Sequence, residues 1–182
     1  FPFFQPAEGS TSCLACDTGR FNLVNASVSC EDCGTGKYNN LTASSTCLSC
    51  PAGTFQQLTG QTVCTMCLPG TYTDSVGQPA CLSCASGTPT NLNGSVHCAP
   101  CMPGRYSRST GVGPGPTECA PCPIGTFVGA QGQQSCESCP AGTFNNNTGA
   151  TACTSCPVGQ FAGQRGGSMC QNCAAGSFAN VA

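Results

Sequence analysis

Tryptophan is absent from this chain, histidine occurs once, and charge is scarce, with five basic and seven acidic residues. Each shortage removes a class of function. So few cations cannot be assembled into a phosphate-binding surface or a membrane-surface patch, and nucleic acid is not an expected partner. The one histidine, His97, stands beside Cys98 with no carboxylate near it in sequence. No Ser or Cys has a base partner at a recurring position, so the chain does not read as an enzyme. The acidic residues Asp17, Glu31, Asp32, Asp74, Glu118 and Glu137 are spread out rather than clustered as calcium ligands would be. Neither a structural metal nor another bound cofactor is expected. Long apolar runs are missing too, so no membrane span is expected, and no basic segment leads into an apolar stretch as a secretory leader would.

Apolar side chains are thinly spread. At 182 residues, length alone would favour one ordinary domain with a sizeable core, but Leu, Ile, Val, Phe and Met occur scattered among 24 Gly and 14 Pro. No segment can build a broad apolar face. What the chain has instead is 20 cysteines, about 11% of its residues, the range of a disulfide or metal framework.

The cysteines are periodic. Ten C-x-x-C pairs begin at Cys13, Cys30, Cys47, Cys64, Cys81, Cys98, Cys119, Cys136, Cys153 and Cys170, a step of 17 everywhere except the step of 21 from Cys98 to Cys119. Counting each repeat from the second Cys of a pair, position 4 is Gly in all ten copies, from Gly19 to Gly176. Position 6 is Phe or Tyr except at Pro89, position 11 is Gly or Ala, and position 15 is Cys. Such internal periodicity decides the architecture before any local reading does. The whole of 1–182 is one continuous array: 1–15 the end of a truncated repeat, 16–100 five repeats, 101–121 a repeat with a four-residue insertion, 122–172 three repeats, and 173–182 the start of another truncated repeat. Both ends fall inside a repeat, which predicts a window from a longer array.

Within a repeat, positions 5–7 favour a short strand, positions 8–11 a turn, and positions 12–15 the return to Cys, a small β-hairpin. Position 11 either adopts a left-handed backbone or only needs a small residue. No helical periodicity appears. Ten of the twelve aromatics stand at position 6, which predicts a ladder of rings, each packed against the next repeat's disulfide and Gly, with contacts between nearest neighbours only. Two irregularities adjoin each other: Pro89 in the aromatic position, and the insertion within 111–118. They mark either a bend or lateral contact, or a tolerated insertion at a hairpin tip.

Cys-x2-Cys-x13-Cys-x2-Cys is close to zinc-ribbon spacing. Against zinc stand four N-glycosylation acceptors, Asn25, Asn40, Asn93 and Asn146, all at position 8 or 10 of the repeat, where a turn can carry a sugar outward. They point to a secreted chain, in which cysteines oxidise, and to N-linked glycans at those four residues. Two pairing schemes remain open. Either position 1 joins position 15 of the same repeat, or successive C-x-x-C pairs join crosswise, Cys13 with Cys30 and Cys16 with Cys33. The crosswise scheme implies an alternation every second repeat, and none is found.

The unit Cys-Pro-x-Gly-Thr-Phe, followed by Gly and Cys-x-x-Cys, resembles the ephrin-receptor-like cysteine-rich repeat. Copies opening at Cys50, Cys122, Cys139 and Cys156 carry it most fully, while those at Cys16, Cys33, Cys67, Cys84, Cys101 and Cys173 lack the Pro. The opening half is also similar to the first module of tumour-necrosis-factor-receptor cysteine-rich domains. That resemblance implies same-repeat disulfides: Cys16–Cys30, Cys33–Cys47, Cys50–Cys64, Cys67–Cys81, Cys84–Cys98, Cys101–Cys119, Cys122–Cys136, Cys139–Cys153 and Cys156–Cys170, with Cys13 and Cys173 left over. The expected fold is small disulfide-rich β, an elongated solenoid-like rod of 17-residue β-hairpin repeats without helices or a large core. Such repeats occur in receptor ectodomains, matrix-like proteins and large surface proteins, including flagellar hairs. The expected function is that of an extracellular structural glycoprotein, associating with itself in a filament or with other extracellular glycoproteins. The alternative is a receptor or adhesion stalk that binds a protein ligand, with Arg105, Tyr106 and Arg108 beside the insertion as the contact patch.

Overall fold

A computed structural model describes residues 3–24 and 26–178. No helix occurs among them, and the regular structure is nine two-stranded antiparallel sheets. The chain divides into two compact units, Phe1–Ser83 with Leu92–His97, and Cys84–Asn91 with Cys98–Ala182.

Each hairpin begins in a tight turn at positions 2 to 5. In the copy 50–66, the Thr54 amide donates to the Pro51 carbonyl at 3.1 Å, and Gly53 sits between them with φ +82°. A turn with positive φ at its third residue demands Gly, which explains position 4 in part. The Thr at position 5 reinforces the turn, its hydroxyl donating to the same carbonyl at 2.7 Å for Thr54, Thr71 and Thr126. The chain then enters Thr54–Phe55, which pairs with Thr65–Met66 in the register Thr54↔Met66 and Phe55↔Thr65. Arg20–Phe21 pairs with Glu31–Asp32, and Thr143–Phe144 with Thr154–Ser155, in the same way.

In the 17-residue copies that form a strand pair, the return strand therefore lies between the two cysteines of the C-x-x-C, not at positions 12–15; in 101–121 it is Glu118–Pro121, which includes Cys119. The backbone of positions 11 and 12 is engaged elsewhere. In the first unit the amides of Ala43, Gly60, Gly77 and Gly94 donate to the carbonyls of Cys16, Cys33, Cys50 and Cys67, the position-1 cysteines one repeat earlier, at 2.7–2.8 Å. Position 12 accepts as well: Ser44 from Asn22, Gln61 from Asn39, and Gln78 from Gln56. A third bond runs from the position-4 amide to the position-7 carbonyl of the next repeat, Gly19 to Asn39 and Gly36 to Gln56, both at 2.7 Å. The second unit repeats the scheme, with Gly132, Gly149 and Gly166 donating to Cys101, Cys122 and Cys139. Position 11 is left-handed throughout, even at Ala26 (φ 60°) and Ala43 (φ 52°), so backbone conformation rather than size alone governs that position.

The buried residues are not those of an aromatic ladder. The half-cystines Cys16, Cys33, Cys50, Cys67, Cys101, Cys122 and Cys139 are wholly buried, and beside them lies position 7: Asn22, Asn39, Gln56, Thr73, Ser107, Val128, Asn145 and Ala162. Most rings at position 6 are only half-buried, and Phe161 and Phe178 are exposed. Position 7, directly after the strand, lies in the seam because its backbone bonds to both neighbouring repeats, as Asn39 does to Gly19 and Gln61, and position 6 lies out of it. Nor are contacts restricted to nearest neighbours. Gly19 lies against the carbonyl of Gly60, and Gly36 against that of Gly77, two repeats onward.

The copy 84–100 forms no strand pair among the described residues. Pro89 has no N–H to place in a ladder where every other copy has an aromatic. Amides of 84–100 are expected to exchange with deuterium faster than those of 50–66 under the same native conditions. Equal protection in the two copies would show that the missing strand pair does not weaken the repeat.

Candidate functional site

Nine disulfides join Cys16–Cys30, Cys33–Cys47, Cys50–Cys64, Cys67–Cys81, Cys84–Cys98, Cys101–Cys119, Cys122–Cys136, Cys139–Cys153 and Cys156–Cys170, with Cα–Cα distances of 5.5–5.8 Å. Each closes one repeat. Cys13 and Cys173 are free, the first exposed and the second half-buried. Among the described residues no three His, Cys, Asp or Glu side chains converge as a metal site would need. No helix of the described residues is long and apolar enough to cross a membrane.

The surface around the insertion is built on a longer hairpin. Arg105–Arg108 pairs with Glu118–Pro121 over four residues a side, from Arg105↔Pro121 to Arg108↔Glu118. The added residues form the loop beyond it, closed where the Thr110 and Thr117 hydroxyls meet at 2.9 Å and the Thr117 amide donates to the Arg108 carbonyl at 2.9 Å. The structure brings Arg105, Tyr106 and Arg108 onto one strand, but both guanidinium groups already have partners. Arg108 pairs with Glu118, its Nε donating at 2.7 Å, and Arg105 Nη1 donates to the Cys119 carbonyl at 2.9 Å. Tyr106 is half-buried. An exposed pair of this kind contributes little, so Glu118→Gln should change stability by less than about 1 kcal/mol in chemical denaturation. A larger loss would mean that the pair anchors the insertion.

The other described ion pair, Arg20 with Asp32 at 2.7 Å, spans the first complete hairpin from position 5 to position 17. Its hydrogen bond, and then its charge, hold the Arg20 guanidinium above its ordinary pKa. Beside it an open groove of about 550 Å³ is lined by Phe21, Leu23, Lys37 and Thr46 among others. A second, of about 610 Å³, lies along Phe161, Gln164, Arg165 and Met169. Neither gathers convergent catalytic groups. His97 is exposed.

Of the four sequons, Asn40, Asn93 and Asn146 are exposed, and Asn25 lies outside the described residues. The residues that sequence reasoning passed over are those of position 7. Asn39 Nδ2 donates to the Arg20 carbonyl one repeat earlier at 2.6 Å, while its Oδ1 accepts from the Leu41 amide at 3.1 Å. Asn145 does the same with Thr126 at 2.9 Å and Asn147 at 3.0 Å. Ser107 Oγ accepts from the Gly87 amide at 2.7 Å. Every buried side-chain nitrogen and oxygen among the described residues has a partner. A signal was available: position 7 is Asn, Gln, Ser or Thr in most copies, the residue types that bond to their own turn.

No curated protein matches this chain in sequence. A family model described as tyrosine-protein kinase ephrin type A/B receptor-like matches residues 19–62, 34–77, 53–97 and 110–152. The kinase of that description belongs to a different domain; the matched residues are cysteine-rich repeats, which are non-catalytic modules. Those matches span more than half of the chain, with the disulfide, the left-handed Gly and the short hairpin recurring in step. By that measure the chain belongs to the ephrin-receptor-like cysteine-rich repeat family.

Proposed function

We propose that this chain is a non-catalytic structural component of an extracellular glycoprotein, a rod or filament segment built by adding repeats. One observation carries the reading: backbone groups at positions 1, 4, 7, 11 and 12 make most of the bonds between repeats, and the side chains that add to them are buried at position 7, so the scheme continues without specifying the surface. A stack whose cohesion is independent of its exterior suits a spacer or polymer, and contributions from neighbouring interfaces then add along the chain. The sparsely charged surface, rich in Ser, Thr, Asn and Gln, does little to repel other copies, which favours association with itself or with other extracellular glycoproteins. Glycans at Asn25, Asn40, Asn93 and Asn146 belong to the same reading.

A stalk that presents a ligand site is the second reading, favoured by the long hairpin of Arg105, Tyr106 and Arg108, where the pattern departs from its neighbours. Negative-stain imaging of native material distinguishes the two. Regular fibres with a repeat along their length are the expected result. Dispersed particles that bind a soluble protein, and lose it in an Arg105→Ala, Tyr106→Ala double variant, would replace the filament with the stalk.

A further inference from the structure

Burial of position 7 leaves surface on its two neighbours. In the copies 33–49 and 139–155, position 7 follows directly on the strand and is buried, Asn39 at 1% and Asn145 at 6% exposure, while positions 6 and 8 on either side of it keep outward surface. Those outward positions hold Tyr38 with Asn40, and Phe144 with Asn146, each ring half-buried and each Asn exposed. Two residues beyond each Asn is an exposed Thr, Thr42 or Thr148. The turn that follows is held by the buried Asn, whose Oδ1 accepts from Leu41 at 3.1 Å in one copy and from Asn147 at 3.0 Å in the other.

Resting on the glycoprotein reading above, we propose that Asn40 and Asn146 are glycan-stacking sites, at which the first N-acetylglucosamine lies over the outward face of Tyr38 or Phe144. In the attachment, the Asn Nδ2 forms a bond to the anomeric carbon of a lipid-diphosphate-linked oligosaccharide. The anomeric C–O bond breaks, the lipid diphosphate leaves, and one amide proton is lost to solvent. The C–H face of the sugar is apolar with outward partial positive charge, and it meets the negative face of the ring. Covering the ring also takes apolar area out of water. Because Asn39 and Asn145 already order the strand and turn, little backbone freedom remains to be lost when the sugar settles.

Asn93 provides a contrast inside the same chain. It stands at position 10 rather than 8, Pro89 replaces the ring, and its Ser95 is buried with the hydroxyl donating to the Leu92 carbonyl at 3.1 Å. A glycan there has no ring to cover. The three described sequons thus divide into two that stabilise the fold and one that does not.

The test is expression of the full chain in a eukaryotic secretory host, with the glycans trimmed to a single carbon-13-labelled N-acetylglucosamine. Proton resonances of the sugar at Asn40 and Asn146 should move upfield under the ring current relative to those at Asn93, and the shift at Asn40 should vanish in Tyr38→Leu. Thr42→Ala leaves the ring and removes the sugar. It should lower the melting temperature by about 2 to 4 °C, whereas Asn93→Gln, which removes its sugar and keeps the bond from Ser95 to the Leu92 carbonyl, should lower it by less than about 1 °C. Occupied sites with no upfield shift at Asn40 and Asn146 would overturn the stacking proposal while leaving the glycoprotein reading intact. Empty sites in a secreted chain would overturn both.

Discussion

Gly53→Ala is expected to destabilise the first unit by roughly 3–5 kcal/mol, far more than a methyl group on a surface turn normally costs. Two effects combine. Gly53 has φ +82°, a conformation that costs a residue with a Cβ about 1–2 kcal/mol. The added Cβ would also stand 2.2 Å from the carbonyl oxygen of Gly94 and 2.9 Å from its carbon. No side-chain rotation relieves a clash with backbone, so the copies must separate and strain the bond from the Gly53 amide to the Thr73 carbonyl, 2.9 Å in the native fold. Gly60→Ala is the control. Its φ is +68°, but the nearest atom to its Cβ would be Asp32 Cγ at 3.4 Å, and Ala26 and Ala43 already occupy the equivalent position. It should cost only about 1 kcal/mol, the left-handed penalty without the clash. Urea denaturation of the two variants checks the difference. Equal losses would mean that the approach between alternate repeats does not exist in solution.

Removing one disulfide should come next in size. Cys50→Ala with Cys64→Ala opens a loop of sequence separation 14, worth about 3 kcal/mol by the chain-entropy model. Cys50 is wholly buried, so a small void adds to the loss. Its backbone is shared with both neighbours, the amide donating to the Gly36 carbonyl at 2.8 Å and the carbonyl accepting from Gly77 at 2.7 Å. Hydrogen exchange in the variant should therefore rise in the copies 33–49, 50–66 and 67–83 together. A rise spread evenly over the whole chain would contradict cohesion by local contacts, and one confined to 50–66 would contradict the shared bonds.

The 17-residue period, the disulfide-rich β character and the absence of a broad core were legible in the sequence, because each is a property of one repeat. Cysteine spacing, turn-forming Gly and the scarcity of charge leave marks in residue type that need no knowledge of the neighbouring copy. The exposed placement of Asn40, Asn93 and Asn146 belongs with them, since a turn is a local event.

What lies between repeats was not legible, and the reason is that backbone makes most of it. A bond from the Gly77 amide to the Cys50 carbonyl leaves no trace in either residue's identity, so positions 12–15 resembled a return strand that in fact lies two residues later at Thr65–Met66. The aromatic at position 6 looked like the core because it is large, yet backbone bonds to both neighbouring repeats hold position 7 in the seam, where Asn39 can satisfy a carbonyl on one repeat and an amide on its own. Size suggested the ring; hydrogen-bond capacity decided for the amide. In the same way the partners of Arg105 and Arg108, the Cys119 carbonyl and Glu118, came only from the tertiary structure. Gly at position 4 was visible as a pattern from the start, but only the fold supplied a further cause at Gly19, Gly36, Gly53, Gly87, Gly104 and Gly125: a carbonyl from two repeats away, too near for any side chain to pass.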